Sequence, residues 1–384
     1  MSVCGMLNAT QKMDIMDISV LFESIPLLAE NWKMVVMWII GAVLIYLAIK
    51  KDMEPALLLP IGFGAIIVNF PSSSAIEVVE TLYNAGIANE LFPLLLFIGI
   101  GAMIDFGPLL SNPKMLLFGA AAQFGIFMTF CLASLFFDIP NAASIGIIGA
   151  ADGPTTIVVA NALGASYTGA ITVAAYSYMA LVPIIQPPVI RLITTKKERL
   201  IRMEYKPAQV SKTTRILFPI IITIVAGIFA PQALSLVGFL MFGNLLRECG
   251  VLNSLSQSAQ KELANLITLF LGITIAFKMQ ADQFLSVATL IIMGLGLFAF
   301  VFDTIGGVML AKLINLFSKK KINPMIGAAG ISAFPMASRV VHKMGLKEDP
   351  NNFLLMHAAA ANVSGQIASA VAGGLILNLV LPLI

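Results

Sequence analysis

A single carboxylate interrupts the apolar stretch IGIIGAADGPTTIVVANALG (Ile145–Gly164): Asp152, set between two alanines and a Gly-Pro pair. A charged side chain at bilayer depth costs at least about 2.5–3.5 kcal/mol. It persists where it binds an ion, carries a proton or pairs with a cation. Gly153-Pro154 breaks the helix beside it, which frees backbone carbonyls and exposes a helix start that suits Pro154 in its first turn. One carboxylate among carbonyls is a hard oxygen set, suited to Na⁺ and poor for soft metals. The competing reading is that Asp152 merely caps the helix beginning near Pro154.

A second interrupted stretch, NPMIGAAGISAFPMASRVVHKMG (Asn323–Gly345), offers oxygens but no acid: Asn323, Ser332, Ser338 and carbonyls near Gly327 and Gly330. Its one arginine, Arg339, falls four residues after Pro335, about one turn into the following helix. There it pairs with Asp152 or holds a carboxylated ligand bidentately, unless it snorkels to the cytoplasmic face. TVAAYSYMALVPIIQPP (Thr172–Pro188) carries Tyr176 and Tyr178, two apart, so at most one of them turns toward Asp152; interfacial anchoring is the alternative. HAAAANVSGQIASAVAGG (His357–Gly374) is built for close helix packing, with Asn362, Ser364 and Ser369 as polar contacts. His342 and His357 are too isolated for a metal site. Asp105 reads as a cytoplasmic helix end; Asp303 has no such simple place.

The elements that must position these residues are membrane helices. The 384 residues are 59% hydrophobic and 11% charged, with mean hydropathy +0.94, where a soluble domain carries about 25% charged residues. Apolar runs fall at 32–49, 55–70, 91–105, 114–137, 165–191, 216–229, 232–246, 263–277, 284–317 and 352–384. They are continuous rather than alternating, which predicts an all-α multi-pass membrane protein and not a barrel. The last two runs are expected to bend or break at Gly306-Gly307 and Gly373-Gly374; 141–163 and 322–341 are apolar but interrupted. A net charge of +3 gives no reason to expect nucleic acid, and Cys4, Cys131 and Cys249 are too scattered for a disulfide framework or a metal site. No cleavable signal peptide is expected, and Met13–Glu30 reads as an amphipathic helix at the interface.

Charge assigns the sides. The basic stretch RLITTKKERLIRMEYKPAQVSKTTR (Arg191–Arg215) is cytoplasmic by the positive-inside rule, with Lys50–Asp52 and Ser318–Lys321 on the same side. The acidic Ser72–Glu90 and Phe136–Asn141 then lie outside, as does the N-terminus. Three short matches recur across the basic stretch at nearly constant separation: PIGF (Pro60–Phe63) with LVGF (Leu236–Phe239), FIGI (Phe97–Ile100) with FLGI (Phe270–Ile273), and IGAA (Ile148–Ala151) with IGAA (Ile326–Ala329). The first IGAA follows acidic sequence and the second basic, so the repeats are inverted. The expected layout is an N-terminal interfacial segment (1–31), a first inverted repeat (32–193), a cytoplasmic loop (194–215) and a second inverted repeat (216–384), with discontinuous helices meeting near the membrane midplane. No nucleotide-binding loop is present, so uphill transport must draw on a gradient or on partner chemistry.

The blocks EPALLLPIGFGAIIVNFP, LFPLLLFIGIGAMIDFGPLLSNP, IGIIGAADGPTTI, NPMIGAAGISAFPMASRV and MHAAAANVSGQIASAVAGG resemble, in order, those of the beta subunits of sodium-translocating biotin-dependent decarboxylases, which act on oxaloacetate, methylmalonyl-CoA or glutaconyl-CoA. The resemblance runs from about Trp32 onward. It implies that Asp152 is the sodium and proton site, and that Tyr178, Asn323, Gly327, Ser332 and Arg339 are functional. It implies Na⁺ export driven by decarboxylation of carboxybiotin, with a biotin carrier, a carboxyltransferase and a small membrane-anchor subunit as partners and a homo-oligomer in a bacterial cytoplasmic membrane. Asn323, Gly327 and Ser332 then join Asp152 around Na⁺, Arg339 holds carboxybiotin, and Tyr178 or Ser332 relays a proton. This chain has no Met-Lys-Met biotinylation site, so biotin comes from a partner. The short cytoplasmic loop favours an acyl-CoA enzyme over the oxaloacetate type. Two other functions compete: a stand-alone Na⁺-coupled carrier of an organic anion with an elevator-like inverted-repeat fold, and a structural anchor that would leave Asp152 without a role.

Overall fold

The computed structural model describes residues 31–51, 55–70, 74–204 and 210–384. The expected interfacial helix at Met13–Glu30 lies outside the described residues, as do positions 205–209 of the basic stretch. The regular structure of the described residues is all helix, without a strand. Six helices among them are long and apolar enough to cross a bilayer, or up to eight if each of two bent pairs forms one span.

The perimeter explains itself by periodicity. Helix Trp32–Lys51 exposes Trp32, Val35, Ile39, Val43 and Tyr46, spaced three and four apart along one face. Helix Lys212–Phe229 likewise exposes Leu217, Ile220, Ile221, Ile224, Val225 and Ile228. In water such stripes would be contiguous apolar patches of a size that soluble monomers avoid; against acyl chains they need no cover.

The interior pairs helices from the two sides of the basic stretch reciprocally. Pro55–Ile67 packs on Ala264–Ile275, and Leu91–Met103 packs on Leu234–Glu248. Both crossings are close because glycine lies at the contact. Gly64 and Gly272 mark the first, Gly101 and Gly243 the second, and a methyl group at any of the four would collide with the facing helix. Thr168–Ile193 packs along Val287–Phe317, and the small-residue helix Leu355–Val380 threads the centre, buried over most of its length.

Two expected breaks are absent. Val287–Phe317 runs unbroken through Gly306-Gly307, and Leu355–Val380 through Gly373-Gly374. At Gly306 an added Cβ would stand 2.5 Å from the Ala121 carbonyl, and at Gly307 it would collide with Gly327. These glycines admit a neighbouring backbone; they do not end a helix. The break falls instead in the run 114–137, where Leu116–Ala121 gives way to Phe124–Ala133 through a turn at Ala122-Gln123.

Candidate functional site

Two non-helical turns lie side by side in the interior. The first ends helix Ile139–Ile147 and its 3₁₀ extension Ile148–Ala150, and leads into helix Gly153–Ala162. At ten residues that helix is roughly 15 Å long, half of what spans the hydrocarbon core. The second turn joins helix Met325–Ala328 to helix Met336–Glu348. A backbone bond from the Ser332 amide to the Ala150 carbonyl, 3.0 Å, ties the two turns together. Ala151 sits between them with φ of 51°, in the left-handed region that costs an L-residue roughly 1–2 kcal/mol. That bond, and the Thr156 hydroxyl on the Asp152 carbonyl at 2.8 Å, hold it there.

Asp152 is 5% exposed and caps helix Gly153–Ala162, so the capping reading of the sequence is correct as local structure. It describes only one oxygen. Oδ1 accepts from the Thr155 amide at 3.3 Å. Oδ2 receives three hydroxyls: Thr155 at 2.9 Å, Ser332 at 3.1 Å and Ser369 at 2.7 Å. Ser332 and Ser369 also touch each other at 2.9 Å. Hydrogen bonds to a charged group contribute about 1.5–3 kcal/mol each, so two of these four offset the insertion cost of the carboxylate.

Helix Leu355–Val380 supplies more oxygens to the same turn. Asn362 donates to the Ile331 carbonyl at 2.7 Å, and Gln366 donates to the Ser332 carbonyl. The opposite ends of both amides, Asn362 Oδ1 and Gln366 Oε1, are buried without a hydrogen-bond partner. So is the Tyr176 hydroxyl, whose ring lies so close over Gly153 that a Cβ there would collide with it. These three buried oxygens without partners belong to residues that touch the two turns, at Gly153, Ile331 and Ser332; oxygens are the ligand type that suits a small hard cation.

The structure joins Asp152 and Ser332 directly; the other expected site residues make their contacts with other groups. The Tyr178 hydroxyl donates to the Met293 carbonyl on Val287–Phe317, and its ring packs against Gly296. Asn323 is committed to the basic stretch: its amide donates to the carbonyls of Arg199 and Ile201, both at 2.9 Å, and its oxygen accepts from the Met325 amide. Gly327 is the close contact with Gly307, and its carbonyl accepts from Gly330. Arg339 is exposed and makes no ion pair with Asp152. It lines a cleft of about 480 Å³ with Arg191, Lys343 and Lys347, walled by Pro183 and Pro187. Among the described residues none of these four cations forms an ion pair. The ion pairs Arg199–Glu348 at 2.8 Å and Arg202–Asp349 at 2.5 Å anchor the start of the basic stretch beside the cleft. At that edge Arg202 holds the Asp349 carboxyl below its usual range, with the Asn351 amide adding to the effect.

Residues 33–380 match the family described as Na⁺-transporting oxaloacetate decarboxylase beta subunit. The chain belongs to this family. It is 49% identical to the methylmalonyl-CoA decarboxylase subunit beta of Propionigenium modestum, covering 91% of this chain and 95% of that one. It is 48% identical to the glutaconyl-CoA decarboxylase subunit beta of Acidaminococcus fermentans, covering 92% and 94%. It is 44% identical to the probable oxaloacetate decarboxylase beta chain of Vibrio cholerae, covering 91% and 96%. As a member of the beta-subunit family the chain joins, in one buried site, a capping aspartate of the first interrupted stretch, a serine of the second, and Ser369 of the central helix.

Proposed function

We propose that this chain is the membrane subunit of a bacterial sodium pump that couples decarboxylation of carboxybiotin, presented by a partner subunit, to Na⁺ export across the cytoplasmic membrane. The observation that carries the reading is the Asp152 carboxylate: buried, capped on one oxygen, and ringed by three hydroxyls on the other. With no cation present, the hydroxyls of Ser332 and Ser369 donate to Oδ2. With Na⁺ present, the same hydroxyls turn and offer lone pairs, since each has one proton and two acceptor sites. Oδ2 thus serves two states without moving the backbone, and Na⁺ and H⁺ compete for one carboxylate. Asn362 Oδ1, Gln366 Oε1 and the Tyr176 hydroxyl are the oxygens free to complete the shell. In this proposal Tyr176 takes the place that the sequence reading gave to Tyr178, and Ser332 keeps its place as both ligand and proton relay.

The basic cleft suits the carboxylate of carboxybiotin. Arg339 and Lys343 stand four apart on one helix face, with Arg191 and Lys347 alongside, and a guanidinium there can bind a carboxylate bidentately. The partner's carboxybiotin supplies the loss of CO₂, as its N–C bond breaks and its ureido nitrogen takes a proton. Asp152 is the group that gives a proton up as Na⁺ displaces it.

The proposed architecture is two inverted repeats, 32–193 and 216–384, flanking the cytoplasmic stretch 194–215 and preceded by 1–31, with their discontinuous helices meeting at midplane. The reciprocal packing supports it: within each proposed repeat the PIGF-type helix crosses the FIGI-type helix of the other. Such mutual exchange is what a two-fold relation produces. Partners in this reading are a biotin carrier, a carboxyltransferase and a small membrane anchor, and the chain assembles as a homo-oligomer. The identities, 48–50% to the beta subunits named for acyl-CoA decarboxylases against 43–44% to those named for oxaloacetate, favour an acyl-CoA substrate for the complex.

Na⁺ uptake into inverted vesicles carrying the assembled complex tests the proposal. Uptake on adding methylmalonyl-CoA or glutaconyl-CoA, blocked by avidin, is expected. Absence of uptake with these substrates and with oxaloacetate overturns it, and uptake indifferent to avidin favours the stand-alone carrier.

A further inference from the structure

Asp303 is a second acid inside the molecule, and the site described above does not use it. It sits midway along the 31-residue helix Val287–Phe317 and is 0% exposed. Its two oxygens have different surroundings. Oδ1 accepts the Ile126 amide at 3.2 Å, at the start of helix Phe124–Ala133, and thereby caps that helix from another element. Oδ2 has no hydrogen-bond partner. It points at Gly149, closely enough that a Cβ there would collide with it; Gly125 lies as close on the Oδ1 side, where its backbone amide also faces the carboxylate. Gly149 belongs to the 3₁₀ turn that ends at Ala150, the residue whose carbonyl holds Ser332.

We propose that Asp303 binds a proton on Oδ2 and exchanges it when the Gly149–Asp152 turn moves, a second protonation site mechanically joined to the first. An ionised carboxylate with one bare oxygen in an apolar interior is the costliest state available to this group. A cation does not relieve it, because Na⁺ needs several oxygens, and Oδ2 lies against Gly149 with no hydrogen-bonding group beside it. A proton needs only the oxygen itself. The packed elements bring no countercharge: Leu116–Ala121, Ile139–Ile147 and Met325–Ala328 carry no titratable residue. Phe124–Ala133 has only Cys131, which is exposed. Thr168–Ile193 carries Tyr176, Tyr178 and Arg191; of these Tyr178 meets this helix at Met293 and Gly296, while Tyr176 lies on Gly153 and Arg191 in the basic cleft. Asp303's own helix carries Lys312, which pairs with Glu198 at 3.2 Å. Asp152 follows Gly149 by three residues and is the other acid in reach of the moving turn. The exchange rests on the pump reading; the proton itself does not.

Infrared spectra of the membrane-reconstituted complex, recorded at neutral pH before and after Na⁺ addition, test this. Expected is a protonated-carboxyl band that shifts in D₂O, survives in Asp152→Asn, is missing in Asp303→Asn, and changes in intensity on Na⁺ addition. Should Asp303→Asn fail to assemble, Asp303→Glu is read for displacement of the same band. A spectrum that neither variant alters overturns the proposal. So does an Asp303-dependent band that Na⁺ leaves untouched while the Asp152-dependent band responds. If Na⁺ moves neither band, the exchange fails together with the pump reading, and the Asp152 band identifies that failure.

Discussion

Ser332 and Ser369 place their hydroxyls on the same oxygen of Asp152, at 3.1 and 2.7 Å, from residues that stand 180 and 217 positions away in the chain. Three remote segments converge on one atom. Removing either hydroxyl leaves Asp152 capped by Thr155 but takes one ligand from any cation on Oδ2. Turned toward Na⁺, each hydroxyl supplies one of its oxygen ligands, and the loss of about 1.4 kcal/mol of that ligation is tenfold in affinity, so Ser369→Ala and Ser332→Ala should each raise the Na⁺ concentration for half-maximal decarboxylation roughly tenfold. Asp152→Asn should assemble and lose Na⁺-dependent decarboxylation altogether. Steady-state rates against Na⁺ concentration check all three; Asp152→Asn near wild-type activity ends the assignment.

The two tyrosines separate structure from function. Tyr178 satisfies the Met293 carbonyl, so Tyr178→Phe should lower the melting temperature by the loss of a bond worth about 1 kcal/mol. Its half-saturating Na⁺ concentration should stay near wild type. Tyr176 buries a hydroxyl with no partner above Gly153. Removing an unsatisfied polar group does not destabilise, so Tyr176→Phe should melt at or above the wild-type temperature while its Na⁺ dependence weakens. Thermal unfolding and Na⁺ titration of both variants give four numbers, and the opposite pattern would return the functional role to Tyr178.

Why does the residue pattern single out Asp152 and yet leave Tyr176 and Tyr178 open, so that the resemblance alone favours Tyr178? A charge and a Gly-Pro break within an apolar run are rare, and their cost in a bilayer makes them conspicuous in one dimension. The choice between Tyr176 and Tyr178 depends on which helix face meets Gly153, and an apolar helix buried on several sides has no polar face to reveal its orientation. Gly306-Gly307 shows the same limit. Paired glycines read equally as a hinge or as a close crossing, and only the presence of Gly327 across the interface decides for the crossing. Ser369 was visible as one of several polar residues in a small-residue helix, with nothing local to single it out. Membrane helices themselves were legible from length and hydropathy, because the bilayer imposes both.

Arg339 acts at a distance from Asp152 if the basic cleft receives the partner. Arg339→Ala should then raise the KM for the carboxylated carrier, leaving the Na⁺ dependence of the residual rate unchanged. Arg339→Lys should restore part of the loss, since it keeps the charge and gives up the bidentate fork. Ionic strength gives a second handle. The four cations of the cleft are solvent-facing, and charges beyond about 8 Å are largely screened at physiological salt. Wild-type KM for the carrier should therefore rise with added KCl, and Arg339→Ala should show a shallower rise. A raised Na⁺ requirement in Arg339→Ala, with an unchanged carrier KM, would place the arginine in the cation site instead.

Asn323 predicts a defect of a different kind. Its amide spans the carbonyls of Arg199 and Ile201, and Asn352 adds a second bond to the Arg199 carbonyl at 3.0 Å. The basic stretch is held to the membrane body by these bonds and by the pairs Arg199–Glu348 and Arg202–Asp349. Asn323→Ala takes the Asn323 donor from the half-buried Ile201 carbonyl and leaves the Arg199 carbonyl with Asn352 alone, at a cost of about 1–3 kcal/mol. The expected result is faster proteolytic cleavage between Lys196 and Lys206, where lysines and arginines cluster, and a lowered yield of complex containing the partner subunits. Once assembled, Asn323→Ala should bind Na⁺ as wild type does. Limited trypsin digestion and Na⁺ titration decide it: wild-type cleavage kinetics together with a weakened Na⁺ response would mean that Asn323 reaches the cation after all.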